Sequence, residues 1–307
     1  MILKYDINDV RPFINWPYFD YAWSMNGKKG EERDKLYADA NAMLDSWQGR
    51  YHTRAVFEIM DANSDGDDIV VNGNVRLPML RQQKQKRLDD GLSSLSPSPS
   101  PIGEGSGYNN DTSDNVISDK KREVHDYNLC LADFIRPMSQ GIPDKLGAFA
   151  TTVDVELTKG YDDDVYGKML SQTLADRLAE GTAELMHLQV RRKYWGYAPD
   201  EDLSMDDIHA ERYQGIRPAV GYPSMPDTSM NFLLAKLIDM AGIGIRLTQS
   251  GMMMPHASVS GLMFAHPKAR YFSLGKIGED QLRDYAHRRG LPVELMRKFL
   301  TSSLLKK

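Results

Sequence analysis

The sequence predicts an α+β fold built on an antiparallel sheet. Three observations predict it. Segments of strand length are joined by hairpin turns and irregular loops. Regular strand–helix–strand units, the mark of a doubly wound parallel sheet, do not recur. The composition, 41% hydrophobic and 26% charged over 307 residues, is that of a globular chain able to bury a full core.

The elements follow in order. Residues 11–23 are dense in aromatics, and Pro12 and Pro17 oppose a continuous helix before about Phe19. A helix is predicted over 31–48, with Leu36, Ala40, Met43, Leu44 and Trp47 on one face. Strands are predicted at 54–60 and 68–71, joined by a polar turn containing Gly66. Residues 90–120 carry too few apolar side chains to offset the entropy of ordering, and read as a flexible surface insert. The strands on either side look like parts of one sheet, so residues 1–307 are read as one domain with an insert. Strands are predicted at 129–135 and 147–155. The strongest helix spans 163–192, where Leu170, Leu174, Leu178, Gly181, Leu185 and Leu188 form one stripe. A short helix over 204–213 takes Ser204 as its N-cap, and another covers 225–240. Strands at 245–249, 257–264 and 271–276 precede helices at 280–289 and 292–300.

Charge and cysteine content exclude several classes. A net charge of −5 gives no general basic field for nucleic acid. One cysteine, Cys130, excludes an internal disulfide and a cysteine-built zinc site, and reads as a small buried hydrophobe. No apolar run reaches the roughly 18 residues of a membrane span, and the N-terminus lacks the pattern of a secretory signal. A cytoplasmic location is expected. Neither a Walker loop nor a strand-borne Gly-x-Gly-x-x-Gly appears, which disfavours nucleotide triphosphates and nicotinamide cofactors.

Several constellations have both a plain and a functional reading. Asp61 to Asp68 matches half of a calcium loop, but Asn72 stands where the bidentate glutamate would be, so a hairpin turn reads better. Asp176, Glu180 and Glu184 recur at four-residue spacing, a solvated face or else a cation or docking site. His256, Ser258, Ser260 and His266 lack a nucleophile elbow and a metal-ligand pattern. Small side chains at 257–261 suit the close approach of a flat ligand or a partner backbone. Residues 213–223 form a stiff loop with two prolines and two glycines around Arg217. That arginine suits a ligand carboxylate, or a local acid such as Glu211.

Arg217-Pro218-Ala219-Val220-Gly221-Tyr222-Pro223 resembles the signature of the activation domain of cobalamin-dependent methionine synthase. Other segments resemble that family in order, among them Phe13–Trp16, Asn128–Phe134, Leu146–Ala150, Ala175–Glu180, Lys193–Tyr197, Pro255–Gly261 and Ala265–Phe272. The resemblance implies a single C-shaped domain, a bent antiparallel sheet flanked by helices. It implies binding of S-adenosylmethionine in a shallow groove, and reductive methylation of cob(II)alamin held by a partner module, with flavodoxin or another electron donor. By the same resemblance Arg217 partners the ligand carboxylate, while Ala219, Gly221 and Tyr222 line the groove. Tyr271 and Phe272 match two aromatics that contact the ligand. Glu180 matches a glutamate near its charged end, and Glu211 a further candidate acid.

Two departures matter. Asn15 stands where the family usually carries an aspartate that pairs with the ligand ammonium. Asn15→Asp is therefore expected to tighten binding by about 1–2 kcal/mol, the margin of a charged over a neutral hydrogen bond. Calorimetric titration of both proteins checks this, and no gain in the variant would refute it. The chain also holds no cobalamin motif and too few cysteines for a homocysteine zinc site. It is expected to be an accessory module or subunit of such a methyltransferase, not a complete enzyme alone. Two alternatives stand beside this: a regulatory protein that senses S-adenosylmethionine without transfer, and a reactivator of another corrinoid methyltransferase.

Overall fold

The computed structural model describes residues 1–83 and 128–305. The insert read at 90–120 lies outside the described residues. The main sheet is antiparallel and has six strands: β1 (Ile2–Asp6), β2 (His52–Asp65), β3 (Asp68–Val71), β4 (Val75–Pro78), β5 (Asp144–Val153) and a last strand, β8 (Ser258–Met263). A two-stranded ribbon joins β6 (Arg246–Leu247) to β7 (Met253–Met254). β2 is the spine. One edge carries β1 along its first half and β3 at its far end, and the other edge pairs with β5 from Thr53 to Ala62. The sheet curls into a half-barrel flanked by helices, the α+β arrangement expected.

Both faces of this sheet are covered, and strand parity divides the core in two. Ala55, Phe57, Phe149, Val153, Val259 and Met263 face one core, with α3 (Glu31–Trp47) and α4 (Val165–Gln189) against them. Val56, Met60, Leu146, Ala148, Ala150 and Leu262 face the other, with α6 (Met230–Leu237) and the 128–135 segment. Alternate side chains point to opposite faces, so a strand buried on both loses its polar alternation. β5 shows this: every residue from Leu146 to Val153 is buried. A third cluster holds the C-terminal hairpin of α7 (Glu279–Arg289) and α8 (Val293–Phe299), separated by Gly290 at φ +63°.

The Gly66 turn is a tight hairpin, with Asp65 opposite Asp68. Its acids are ion-paired: Asp65 and Asp68 with Arg76, Asp67 with Arg81, and Asp68 also with Arg288. Cys130 is buried and free, as read.

Several segments depart from expectation. β1 was not predicted; it is a short edge strand whose pairing with β2 no local signal announces. Residues 131–134 form a 3-10 turn instead of a strand, because Asp133 turns back to accept the Cys130 N–H and is held there by Arg81. Residues 271–276 form no strand. Phe272 and Leu274 are buried and Tyr271 and Ser273 less so, which gives the period of two. Their backbone partners are the Ser224 hydroxyl and the Pro223 carbonyl instead of a ladder. The 204–213 helix stops at His209 (α5, Met205–His209), and α6 begins only at Met230. Among the described residues no helix is long and apolar enough to cross a membrane.

Candidate functional site

The site is assembled where three segments meet on α4. Asp164 caps the start of that helix, its carboxylate accepting the Gly167 N–H at 2.9 Å. Gly181 lies at its middle. A side chain there would press on Val10 and the backbone of Phe13, each within 3.3 Å of where its Cβ would stand. The missing side chain lets the N-terminal segment cross the helix, and Asn15 lines one cavity with Glu180 and Glu184.

The second segment is the Arg217 loop. Its backbone is laced along β8. Ile216 and Phe264 exchange two hydrogen bonds, Leu262 N–H donates to the Pro218 carbonyl at 3.1 Å, and Val220 N–H donates to the Ser260 carbonyl at 2.8 Å. Proline is tolerated at 218 because there only the carbonyl is needed. Opposite the loop sits Gly261, where any Cβ would collide with the Pro218 carbonyl oxygen. The small residues at 257–261 thus accommodate a backbone, one of the two readings they allowed. Residue 217 points away from this ladder, and its N–H donates to the Tyr271 hydroxyl at 2.9 Å. Tyr271 belongs to the third segment and lies 3.5 Å, oxygen to oxygen, from Tyr213.

Arg217 is buried to 4% exposure, and its Nη2 pairs with Glu184 Oε1. The acid that holds it is therefore Glu184 of the helix stripe and not Glu211. Arg217 Nε and Glu184 Oε2 are both buried without a protein partner. Tyr222 donates from its hydroxyl to Glu180 Oε1 at 2.6 Å. Of the acidic stripe, Glu180 and Glu184 face the site, while Asp176 lies outside it and pairs with His256 at 3.4 Å.

Two cavities share Arg217. One runs over Ala219 and Tyr222 to Tyr271 and Phe272. The other holds Asn15, Arg177, Glu180, Glu184 and Glu211. All the predicted site residues line one or the other except Gly221, which forms a turn at φ +89° and donates its N–H to Met225. Phe13, Tyr18, Arg177, Glu184 and His209 complete the second cavity and were not predicted for the site. Glu184 carried a signal, its place one turn beyond Glu180, and Phe13 and Arg177 lie in segments that resemble the family; Tyr18 and His209 had none in their local sequence.

Burial sets the electrostatics. It pushes the Glu180 carboxyl up, against the pull of Arg177, Arg217 and the Tyr222 hydrogen bond. It pushes Glu211 up to about 7, Arg217 opposing and Glu184 adding to the rise. Glu211 is also held at φ +56°, a left-handed conformation unusual for a side-chain-bearing residue, at the end of α5. Burial alone would lower the Arg217 pKa, but Glu184, Tyr213, Tyr271 and Glu180 outweigh it and keep the guanidinium charged.

Fold and cavities together define an α+β domain with a preformed, charged groove. The family model described as vitamin B12 dependent methionine synthase, activation domain, matches residues 6–99 and 107–290. The chain belongs to that family. It is also similar to a solved structure described as the MetH reactivation domain bound to AdoHcy. Identity is 33% and the TM-score 0.83, over 100% of this chain and 90% of that one.

Proposed function

We propose that this chain binds S-adenosylmethionine in the groove around Arg217 and presents its methyl group to a corrinoid held by a partner methionine synthase module. The observation that carries this reading is the solved relative bound to AdoHcy, alike over the whole chain. The groove supports it. Arg217 offers a buried Nε–H for the ligand carboxylate, and its planar fork suits that group. Ala219, Tyr222, Tyr271 and Phe272 supply an apolar and aromatic wall for the adenosyl portion. Asn15, Glu180 and Glu211 surround the cationic end. The corrinoid supplies the nucleophile when its partner is docked, and the sulfonium carries its own leaving group. The task of this chain is therefore placement: it holds the ligand so that the methyl faces outward, and fixes its approach.

The test is to mix the protein with partner loaded with cob(II)alamin, a reductant and methyl-labelled S-adenosylmethionine. Label recovered on the corrinoid supports the reading, and the partner that works names the system. Binding without transfer would favour a regulatory role instead. Flavodoxin as electron donor is tested in the same assay by replacing the chemical reductant.

A pH dependence follows from Glu211. A cation brought beside it favours its ionised form, so ligand binding releases a proton below about pH 7. Affinity is expected to rise as pH increases toward about 7 and then level, with proton release visible as a buffer-dependent heat. Folding stability has the opposite slope. A carboxyl whose folded pKa is raised contributes stability below its unfolded pKa and loses it as pH rises through the folded value. Glu211→Gln is expected to flatten both profiles between about pH 4.5 and 7. Unchanged profiles would remove Glu211 from the account.

A further inference from the structure

Two residues that line the second cavity each keep one buried polar atom that the protein leaves unmatched, and the two are of opposite kind: a donor, Arg217 Nε, and an acceptor, Glu184 Oε2. They belong to the two partners of one ion pair, which is closed through Nη2 and Oε1 only. Unmatched buried polar atoms are costly, so such a pair fits a ligand that brings both an acceptor and a donor. The amino-acid end of a zwitterion, carboxylate beside ammonium, has that chemistry.

The other carboxylates of the cavity are less suited to the ammonium. Glu180 already accepts from Tyr222, and Asn15 brings no charge. Asp176 lies outside the cavity, on His256. Glu211 is pushed up to about 7 and is partly neutral near neutral pH. Glu184 is paired with a buried arginine and keeps one oxygen uncommitted.

We propose that Glu184 is a ligand-binding residue of this chain, receiving the ligand ammonium on Oε2 while Oε1 holds Arg217. The assignment rests on the reading of the groove as an S-adenosylmethionine site. It means that the charge missing at Asn15 is supplied by the helix.

The test compares two ligands by calorimetry: S-adenosylhomocysteine, and its analogue in which a hydroxyl replaces the ammonium. The unmodified protein is expected to prefer the amine by roughly tenfold or more, the scale of a hydrogen bond to a charged group. Glu184→Gln is expected to collapse that preference while changing affinity for the hydroxyl analogue far less. Asn15→Asp added to Glu184→Gln is expected to restore it. A loss that falls equally on both ligands would mean that Glu184 only positions Arg217, and would overturn the proposal. Binding of neither ligand to the unmodified protein would overturn the proposed function itself, and this assignment with it. Should Glu184→Gln fail to fold, Glu184→Asp keeps the charge beside Arg217 but withdraws the second oxygen by one methylene. An intermediate preference there supports the assignment, and an unchanged one refutes it.

Discussion

Arg217→Met is expected to lower folding stability by about 3 kcal/mol and to remove detectable S-adenosylmethionine binding, two losses with separate causes. The stability loss comes from Glu184. Its carboxylate is mostly buried and held through Arg217, so taking away the guanidinium leaves a charge beside two other acids, Glu180 and Glu211. The loss falls at the lower end of the range for a broken buried pair, because Glu184 keeps 15% side-chain exposure. The binding loss comes from the missing donor at Nε. Arg217→Lys separates the two: it keeps a charge near Glu184 but has no planar fork, so stability should largely return while affinity stays low. Urea denaturation and calorimetric titration of the three proteins read these effects. A methionine variant with an unchanged midpoint would refute the pairing argument.

Glu201→Ala is expected to cost about 3–5 kcal/mol, the full range for an uncompensated buried charge. Its partner Arg191 has no exposed surface. Glu201 closes a two-pronged bridge to it at 2.8 and 2.7 Å, and the ring of Tyr213 lies 4.0 Å from the guanidinium carbon. The third side of the guanidinium meets His187 Nδ1 at 2.9 Å. Burial and the neighbouring arginines hold the His187 pKa well below its ordinary value, so the ring is neutral and offers Arg191 a lone pair but no charge. Arg191 donates to Nδ1, which places the ring proton on Nε2, facing the Tyr197 hydroxyl. Without Glu201, this side of the network has no anion. Thermal melting without ligand tests it, and a melting temperature within a degree or so of the parent would contradict it. Ligand affinity is expected to fall as well, because Tyr213 lies against Tyr271, which holds the Arg217 backbone.

Much of this was legible in the sequence where the signal is local. The stripe from Leu170 to Leu188 gave α4, and the Gly66 turn gave its hairpin. The Arg217 signature, through its resemblance, pointed to most of the cavity walls. What was not legible depends on partners far along the chain. The short strand β1 exists because β2 has an edge to receive it, and the start of α6 at Met230 depends on the Asp227 carboxylate accepting the Ser229 N–H. The alternation at 271–276 is real, but it reflects packing against Ser224 and Pro223 and not a ladder. For Arg217 the sequence left a choice between a ligand and a local acid. The structure places it on an acid of another element, Glu184, 33 residues away.

The lacing of the Arg217 loop along β8 bears on how a ligand arrives. A lid opens cheaply because few backbone bonds hold it. This loop shares four backbone hydrogen bonds with β8 and the residue just past it, two between Ile216 and Phe264 and one each at Pro218 and Val220, and Gly261 seals it against the sheet. Swinging it aside would mean peeling a rung-bonded segment from the half-barrel. The groove is thus a fixed dock. Capture should proceed without a slow gating step, in a single kinetic phase whose rate grows in proportion to ligand concentration.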